Sequence, residues 1–191
     1  MTQDQPDIIK RLKREGYATF DSGKDYDLNI VGIRSPNRSA NLFDDKIIVA
    51  YQVDQIWRAE HFKATTDPGT YWLTKEGYRA TAILKAGQYR GAYKIGLHRG
   101  TYPALVQIKP VQVYRDGDKD NVLDLDAPVE TGLFGINIHR AAANEGSTRV
   151  NKWSAGCQVL QAGFDRFMWL CRKQLEHNPT YKTFTYTLLE D

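Results

Sequence analysis

Short runs of alternating apolar and polar residues dominate the hydrophobic pattern, and they predict a mainly β chain. Residues 46–53 form a β-rich run, alternation continues over residues 55–62, and it is cleanest over residues 183–189. A period of two places one face of a strand in the core. Further short strands are predicted at residues 71–73, 80–84, 104–108, 111–114 and 135–139.

Two segments carry the helical period instead. Residues 6–15 predict a short amphipathic helix, and residues 164–176 predict a longer one that stops before Pro179. Residues 21–40 are polar and turn-rich, and residues 87–100 contain four glycines, so both are expected to be loops, the second beside a cleft. The pattern therefore predicts a mostly β or α+β domain.

Composition is that of an ordinary globular protein. At 191 residues, with 41% hydrophobic and 26% charged side chains, the chain suits one domain, or one domain with a small subdomain. The net charge of +3 is mild and no long basic run occurs, so no nucleic-acid partner is expected. Two cysteines cannot form a disulfide framework, and Cys171, in the apolar helical stretch, is expected to be a core thiol.

Cys157 and His139 are the candidate reactive pair. Cys157 follows Ser154-Ala155-Gly156, and His139 ends the predicted strand at residues 135–139. The thiolate is the reactive form of cysteine, and an imidazole within reach can take the thiol proton and return it to a leaving group. Small residues before the cysteine allow a tight turn whose N–H groups face a developing oxyanion. The alternative is a buried cysteine and a solvated histidine that never meet.

The segment from His139 to Cys157 resembles the signature of the L,D-transpeptidase catalytic domain. Members usually carry a histidine, a similar spacer, then Ser/Thr-His-Gly-Cys followed closely by Arg or Asn. Residues 65–73 (Thr-Thr-Asp-Pro-Gly-Thr-Tyr-Trp-Leu) are similar to the Thr-Pro-x-Gly-x-Phe segment that precedes the catalytic half in that family. The two segments also occur in the expected order.

The resemblance implies a fold, a set of roles and a substrate. It implies an L,D-transpeptidase-like β-sandwich over residues 45–191, with residues 1–44 as a helix and loop extension. Cys157 would be the nucleophile and His139 its general base, while Ser154 and the backbone at Gly156 and Cys157 shape the oxyanion site. The family acts on peptidoglycan stem peptides without a cofactor, forming a thioester that passes to an amine in cross-linking or to water in hydrolysis.

Two departures from the family pattern concern the substrate contacts. Ala155 stands where members usually carry a second histidine, and Gln158-Val159 replaces an apolar residue followed by Arg or Asn. Arg140 and Arg149 are expected to supply the missing charge, while Trp153 is either a wall for the substrate or a core aromatic. The expected substrate-binding residues are therefore Arg140, Arg149, Trp153, Ala155, Gln158 and His98.

Two metal sites are alternatives. Residues 116–124 (Asp-Gly-Asp-Lys-Asp-Asn-Val-Leu-Asp) resemble the start of a calcium loop, with Asp116, Asp118 and Asp120 as ligands. The twelfth position is Ala127 rather than glutamate, so a solvated hairpin turn is the competing interpretation. A zinc site built from His98, His139 and Cys157, and with it a metal-dependent hydrolase, lacks the usual paired short spacing.

The N-terminal residues carry no basic region followed by an apolar stretch, so no secretory signal is expected. No apolar run approaches the ~20 residues of a membrane span. We therefore expect synthesis in the cytoplasm and action on the cell wall or periplasm after delivery or lysis, as in a phage lysis protein or an effector passed between cells. A non-catalytic wall-binding module on the same fold is the alternative function.

Overall fold

The computed structural model describes residues 5–77 and 80–191, in which the chain forms eleven strands and three helices. The helices are α1 (Asp7–Arg14), α2 (Thr70–Leu73) and α3 (Phe164–His177). The strands are β1 (Asn29–Arg34), β2 (Asp45–Val53), β3 (Ile56–Thr65), β4 (Thr81–Leu84), β5 (Gly87–His98), β6 (Tyr102–Gln107), β7 (Val111–Asp116), β8 (Val129–Gly132), β9 (Ile138–Arg140), β10 (Gln158–Leu160) and β11 (Phe184–Glu190).

Eight of these strands close into a barrel, in the order β1-β11-β5-β6-β9-β10-β3-β2, and β4, β7 and β8 form a separate small sheet. Two neighbouring pairs in the barrel are parallel, β1 with β11 and β9 with β10. In the second pair, Ile138 lies opposite Gln158 and His139 opposite Val159. The chain therefore leaves the barrel after β9 and returns as the adjacent parallel strand β10. The candidate cysteine loop lies in the connection between these two strands.

The core lies inside the barrel and beneath α3. Strand residues that point inward and apolar residues of α3 form one buried cluster, which includes Tyr93, Leu105, Ile138, Leu160, Phe167, Cys171 and Tyr186. Cys171 is fully buried there, as expected. On the outer side of β1 and β2, the apolar face of α1 packs in a second cluster, because Ile8, Ile9 and Leu12 repeat at helical spacing.

A buried polar network fixes the turn between β3 and α2. The Arg34 guanidinium is fully buried and donates to the Asp67 carboxylate (2.9 Å) and the Leu84 carbonyl (2.8 Å). The Asp45 carboxylate accepts from the Thr66 N–H (2.6 Å) and hydroxyl (2.8 Å), and burial followed by the nearby Asp67 raises the pKa of Asp45 to about 7. The turn is therefore held from both sides by side chains that reach it from other strands.

The predicted mainly β character and both predicted helices are confirmed. Three local predictions are wrong. Residues 71–73 belong to α2 rather than to a strand, residues 87–100 are mostly the long strand β5, and the expected loop at residues 21–40 contains the buried strand β1. The first 44 residues therefore include one strand of the barrel. The family sandwich itself stays a prediction.

Glycine explains why β5 resembles a loop in the sequence, and the one glycine of β1 has a similar packing role. A Cβ at Gly32 in β1 would overlap the Tyr186 hydroxyl, and a Cβ at Gly96 in β5 would meet a methyl group of Val106 at 2.6 Å. These glycines permit close side-chain packing rather than turns.

In the described residues, none of the helices is both long and apolar enough to span a membrane.

Candidate active site

The loop of residues 154–157 is shaped by hydrogen bonds of a buried serine. The Ser154 hydroxyl donates to the Cys157 carbonyl (2.7 Å) and accepts from the Gly156 N–H (3.1 Å). The Ser154 hydroxyl therefore joins both sides of the turn that carries Cys157. The Gly156 N–H is engaged by that hydroxyl, which does not fit its expected part in holding an oxyanion. The Cys157 N–H remains as a donor, since none of the described residues provides it with a backbone partner.

Gly156 is required by the fold of this loop. Its φ is +117°, in a region that side-chain-bearing residues rarely adopt, and a Cβ there would overlap the Ala82 carbonyl oxygen of β4. The backbone of the cysteine loop thus packs directly against the small sheet. Any other residue would have to move either the loop or the strand.

The two segments that carry the family resemblance lie against each other. The Gly69 N–H donates to the Ser154 carbonyl (2.9 Å), and the Trp72 indole N–H donates to the Lys152 carbonyl (3.1 Å). A Cβ at Gly69 would overlap the backbone of Asn151. Residues 65–73 therefore form the support on which the cysteine loop rests.

Cys157 opens into a cavity of about 370 Å³. The thiol is half-buried and donates to the Gly135 carbonyl (3.4 Å). Three other clefts in the described residues are larger, about 550, 440 and 380 Å³, but no cysteine lines any of them. The side chains around the Cys157 cavity combine a thiol, an imidazole, two guanidinium groups and two aromatic rings: Cys157, His98, Arg99, Arg115, Phe134 and Trp153.

His139 is buried, and its tautomer follows from its contacts. Nδ1 lies 2.7 Å from the Arg140 carbonyl and 3.2 Å from the Tyr102 hydroxyl. A carbonyl can only accept, so we assign the proton to Nδ1, which leaves Nε2 with a lone pair. Nε2 has no partner at hydrogen-bonding geometry in the described residues. Burial, and then the adjacent His98 ring, lower the pKa of His139 to about 3, so the ring is neutral at pH 7.

No hydrogen bond joins His139 to Cys157 in the described residues. Their strands are parallel neighbours with His139 opposite Val159, and the next residue on the same outer face of β10 is Cys157. With strands ~4.8 Å apart and a rise of ~3.3 Å per residue, the two Cα atoms are about 8 Å apart. Throughout the described chain, no hydrogen bond links the Cys157 thiol to an imidazole, and His139 is not among the residues that line the cavity.

His98 is the imidazole that shares the cavity with Cys157. It ends β5 and stacks on His139, with ring centroids 3.9 Å apart and 24° between planes. Asn137 fixes its tautomer: the amide oxygen accepts from the Gln107 N–H (3.0 Å), so the amide NH₂ donates to His98 Nδ1 (3.1 Å). The proton of neutral His98 is then on Nε2. Burial, and then the Arg99 charge, lower the pKa of His98.

The thiol is neutral at pH 7. Burial raises the pKa of Cys157, and the Asn137 N–H and the Arg99 charge offset this only in part. A thiol in such surroundings needs a base before it can attack a carbonyl. The structure places two neutral imidazoles nearby as bases. His98 lines the cavity, and His139 stacks on His98.

The remaining expected substrate residues divide into two groups. Trp153 is 40% exposed and lines the cavity together with Ala155 and His98. Gln158 is instead buried inside the barrel, where its carbonyl oxygen accepts from the Tyr186 hydroxyl (2.8 Å). A strand residue directly after the cysteine points to the opposite face, so its expected contact with substrate is wrong for this structure.

The two arginines expected to supply charge also lie elsewhere. Arg140 stacks over the Tyr102 ring at 4.5 Å, Arg149 is exposed, and neither lines the cavity. The guanidinium groups at the cavity are Arg99, in the turn between β5 and β6, and Arg115 on β7. Sequence reasoning missed both, because no motif connects them with the cysteine loop.

The structure also gives different outcomes for the two predicted metal sites. His98, His139 and Cys157 do not gather their ligand atoms around one point, whereas Asp116, Asp118 and Asp124 do. Asp120, expected as a ligand, uses its carboxylate to accept the Val122 N–H at 2.6 Å. The zinc alternative thus lacks the required geometry in the described residues, and the acidic loop differs from the expected set by one residue.

Comparison with known proteins assigns no family: no protein-family model, no curated protein and no solved structure matches this chain. The family resemblance therefore depends on residues 65–73 and 139–157 alone.

Proposed function

We propose that this protein is a cysteine-dependent acyl-transfer enzyme of the L,D-transpeptidase-like class, acting on peptidoglycan stem peptides. The observation that carries the proposal is the shared cavity of Cys157 and His98, with neutral His139 stacked directly behind. The contact between the two segments of family-like sequence supports it further. The wall substrate implies action on the cell wall or periplasm after delivery or lysis.

The proposed reaction proceeds through a thioester. An imidazole accepts the thiol proton, with His139 as the base of the pair, and Cys157 Sγ bonds to the carbonyl carbon of the stem peptide. The carbon–nitrogen bond then breaks, and the leaving amine takes the proton from the imidazole. Water or a second amine displaces the thiol, which recovers its proton. Hydrolysis and cross-linking share the first half of this sequence. The step requires the thiol to leave the Gly135 carbonyl and reach an imidazole.

The charges at the cavity support an anionic acyl donor. Arg99 is exposed, and Arg115 lies over the Phe134 ring at 4.6 Å while its guanidinium also contacts the Glu130 carboxylate (2.7 Å). Guanidinium groups bind carboxylates in a forked geometry, and stem peptides carry free carboxylates. Phe134 and Trp153 provide apolar walls beside them.

The direct test is mass spectrometry of purified stem peptides incubated with the protein. We expect new products with the wild type, a thioester adduct on Cys157, and no turnover for Cys157→Ala. Cys171→Ala is the matched control and keeps turnover, because that thiol lies in the core. His139→Asn and His98→Asn are each expected to lower kcat by about 100-fold or more. Unchanged turnover in Cys157→Ala would refute the proposal.

A non-catalytic wall-binding module is the second candidate. It is favoured by the raised pKa of the Cys157 thiol and by the lack of a hydrogen bond between this thiol and an imidazole in the described residues. Alkylation of Cys157 separates the two functions. An enzyme loses turnover and keeps affinity for peptidoglycan, whereas a binding module shows no turnover before alkylation.

A further inference from the structure

We propose that Asp116, Asp118 and Asp124 form a calcium site at the end of β7 and in the loop that follows it. One carboxylate oxygen from each residue lies within 4.8 Å of the other two. Calcium binds oxygen at about 2.3–2.6 Å, so oxygens on one ion are up to about 5 Å apart. The spacing of the three oxygens therefore allows a single ion to contact all of them.

The second observation is the state of the Asp116 side chain. Asp116 is only 2% exposed, and its Oδ1 atom has no hydrogen-bond partner among the described residues. Its Oδ2 atom accepts from the Asp124 N–H (3.2 Å), which turns the carboxylate toward the loop that carries the other two ligands. A buried carboxylate oxygen without a donor is costly, and a bound cation removes that cost.

The negative charge of the neighbouring carboxylates favours a bound cation at Asp116. The carboxylates of Asp118, Asp120 and Asp124 lie in the loop after Asp116 and repel its carboxylate. No ion pair joins Asp116 to a basic side chain in residues 5–77 and 80–191. A bound cation would relieve this repulsion.

The ligand chemistry indicates calcium rather than a transition metal. Three carboxylates and no nitrogen or sulfur ligand form a hard oxygen set, which suits calcium or magnesium. Two of the three ligands come from an exposed loop rather than from regular strands. A loop provides the variable geometry that calcium accepts, whereas magnesium demands a near-ideal octahedron.

The position of the group suggests what the ion does. Asp116 lies opposite Thr81 in the ladder of β7 with β4, and the next pair joins Arg115 to Ala82. Arg115 and Ala82 both line the Cys157 cavity, and Ala82 also supports Gly156. A bound ion would therefore stabilise the wall of the small sheet beside the cavity. This inference does not depend on the proposed acyl transfer.

The test is calcium binding to the purified full chain after treatment with EDTA. We expect terbium luminescence and calorimetry to show one site, and calcium at a hundredfold excess over Kd to raise Tm by about 5–10 °C. Asp124→Asn and, as a second variant, the exposed Asp118→Asn are expected to weaken binding at least tenfold. Asp126→Asn, an exposed neighbour outside the group, is the matched control and leaves affinity unchanged.

Three results would overturn the inference. The first is an absence of binding at millimolar calcium. The second is equal affinity in Asp124→Asn and the wild type. The third is a wild type that calcium does not stabilise, together with an Asp116→Asn protein that is more stable than the wild type in EDTA, which would show that a proton satisfies this carboxyl group. Tighter binding of magnesium than of calcium would contradict the choice of ion.

Discussion

The buried imidazole of His139 makes a quantitative prediction about acid stability. Its pKa is about 3 in the folded protein, against an ordinary value of 6.5. Because the folded-state pKa is lowered, the unfolded chain binds the proton first as pH falls. The contribution of this ring to stability is therefore complete above pH 6.5 and is lost progressively as pH falls from 6.5 toward 3.

The size of the effect follows from the shift. One pKa unit corresponds to about 1.4 kcal/mol, so the free energy of unfolding should fall by about 3 kcal/mol between pH 7 and pH 4 because of this ring alone. We expect His139→Asn to lose that part of the pH dependence, since its amide can still donate to the Arg140 carbonyl but does not titrate. The His139→Asn protein should also be less stable at pH 7, because it loses packing contacts. This difference in the free energy of unfolding does not change with pH.

Urea denaturation at pH 7, 6, 5 and 4 measures the difference. The gap between wild type and His139→Asn should narrow by about 3 kcal/mol across this range, while carboxylates common to both proteins cancel. His61→Asn, at an exposed position, is the control and should follow the wild type. Parallel curves for wild type and His139→Asn, or an NMR titration of His139 with a midpoint near 6.5, would refute the placement of this ring.

Three further substitutions test the supports and charges of the site. Gly156→Ala should lower the free energy of unfolding by about 2 kcal/mol or more, from a positive φ and a steric overlap, as read by urea denaturation. Arg99→Gln should move the pH dependence of Cys157 alkylation to higher pH, because the Arg99 charge lowers the pKa of that thiol, whereas exposed Arg149→Gln should leave it unchanged. Arg34→Met should cost about 3–5 kcal/mol in thermal or urea unfolding, because it leaves a buried carboxylate without its countercharge.

Periodicity predicted the elements whose faces are chemically distinct. The helix α3 and the strands β2 and β11 each show a clear period and lie close to their expected bounds. β5 was missed because its glycines indicate turns when only neighbours along the chain are considered, and β1 was missed because the residues on both sides of it are polar and turn-rich. Gly32 and Gly96 are explained by side chains of other strands, which no local pattern contains.

In the candidate site, too, the sequence predicted the residues that belong to a local motif and missed those that come from distant segments. Cys157 and Trp153 reach the cavity because a short motif determines the loop that carries them. Arg99 lies in a turn of the barrel and Arg115 in a strand of the small sheet, so only the folded structure brings them to the cavity of the thiol. His98 was expected beside a cleft, although the segment before it is a strand rather than a loop.

The parallel pairing of β1 with β11 has a consequence for how the chain reaches its native state. Ile30 pairs with Tyr186, so the ring of strands cannot be completed until residues more than 150 positions apart have met. The entropy of closing so long a loop must be overcome before those contacts contribute, which predicts refolding on the millisecond-to-second scale typical of high contact order. Amide protons of both strands should accordingly exchange together, in a single cooperative opening event.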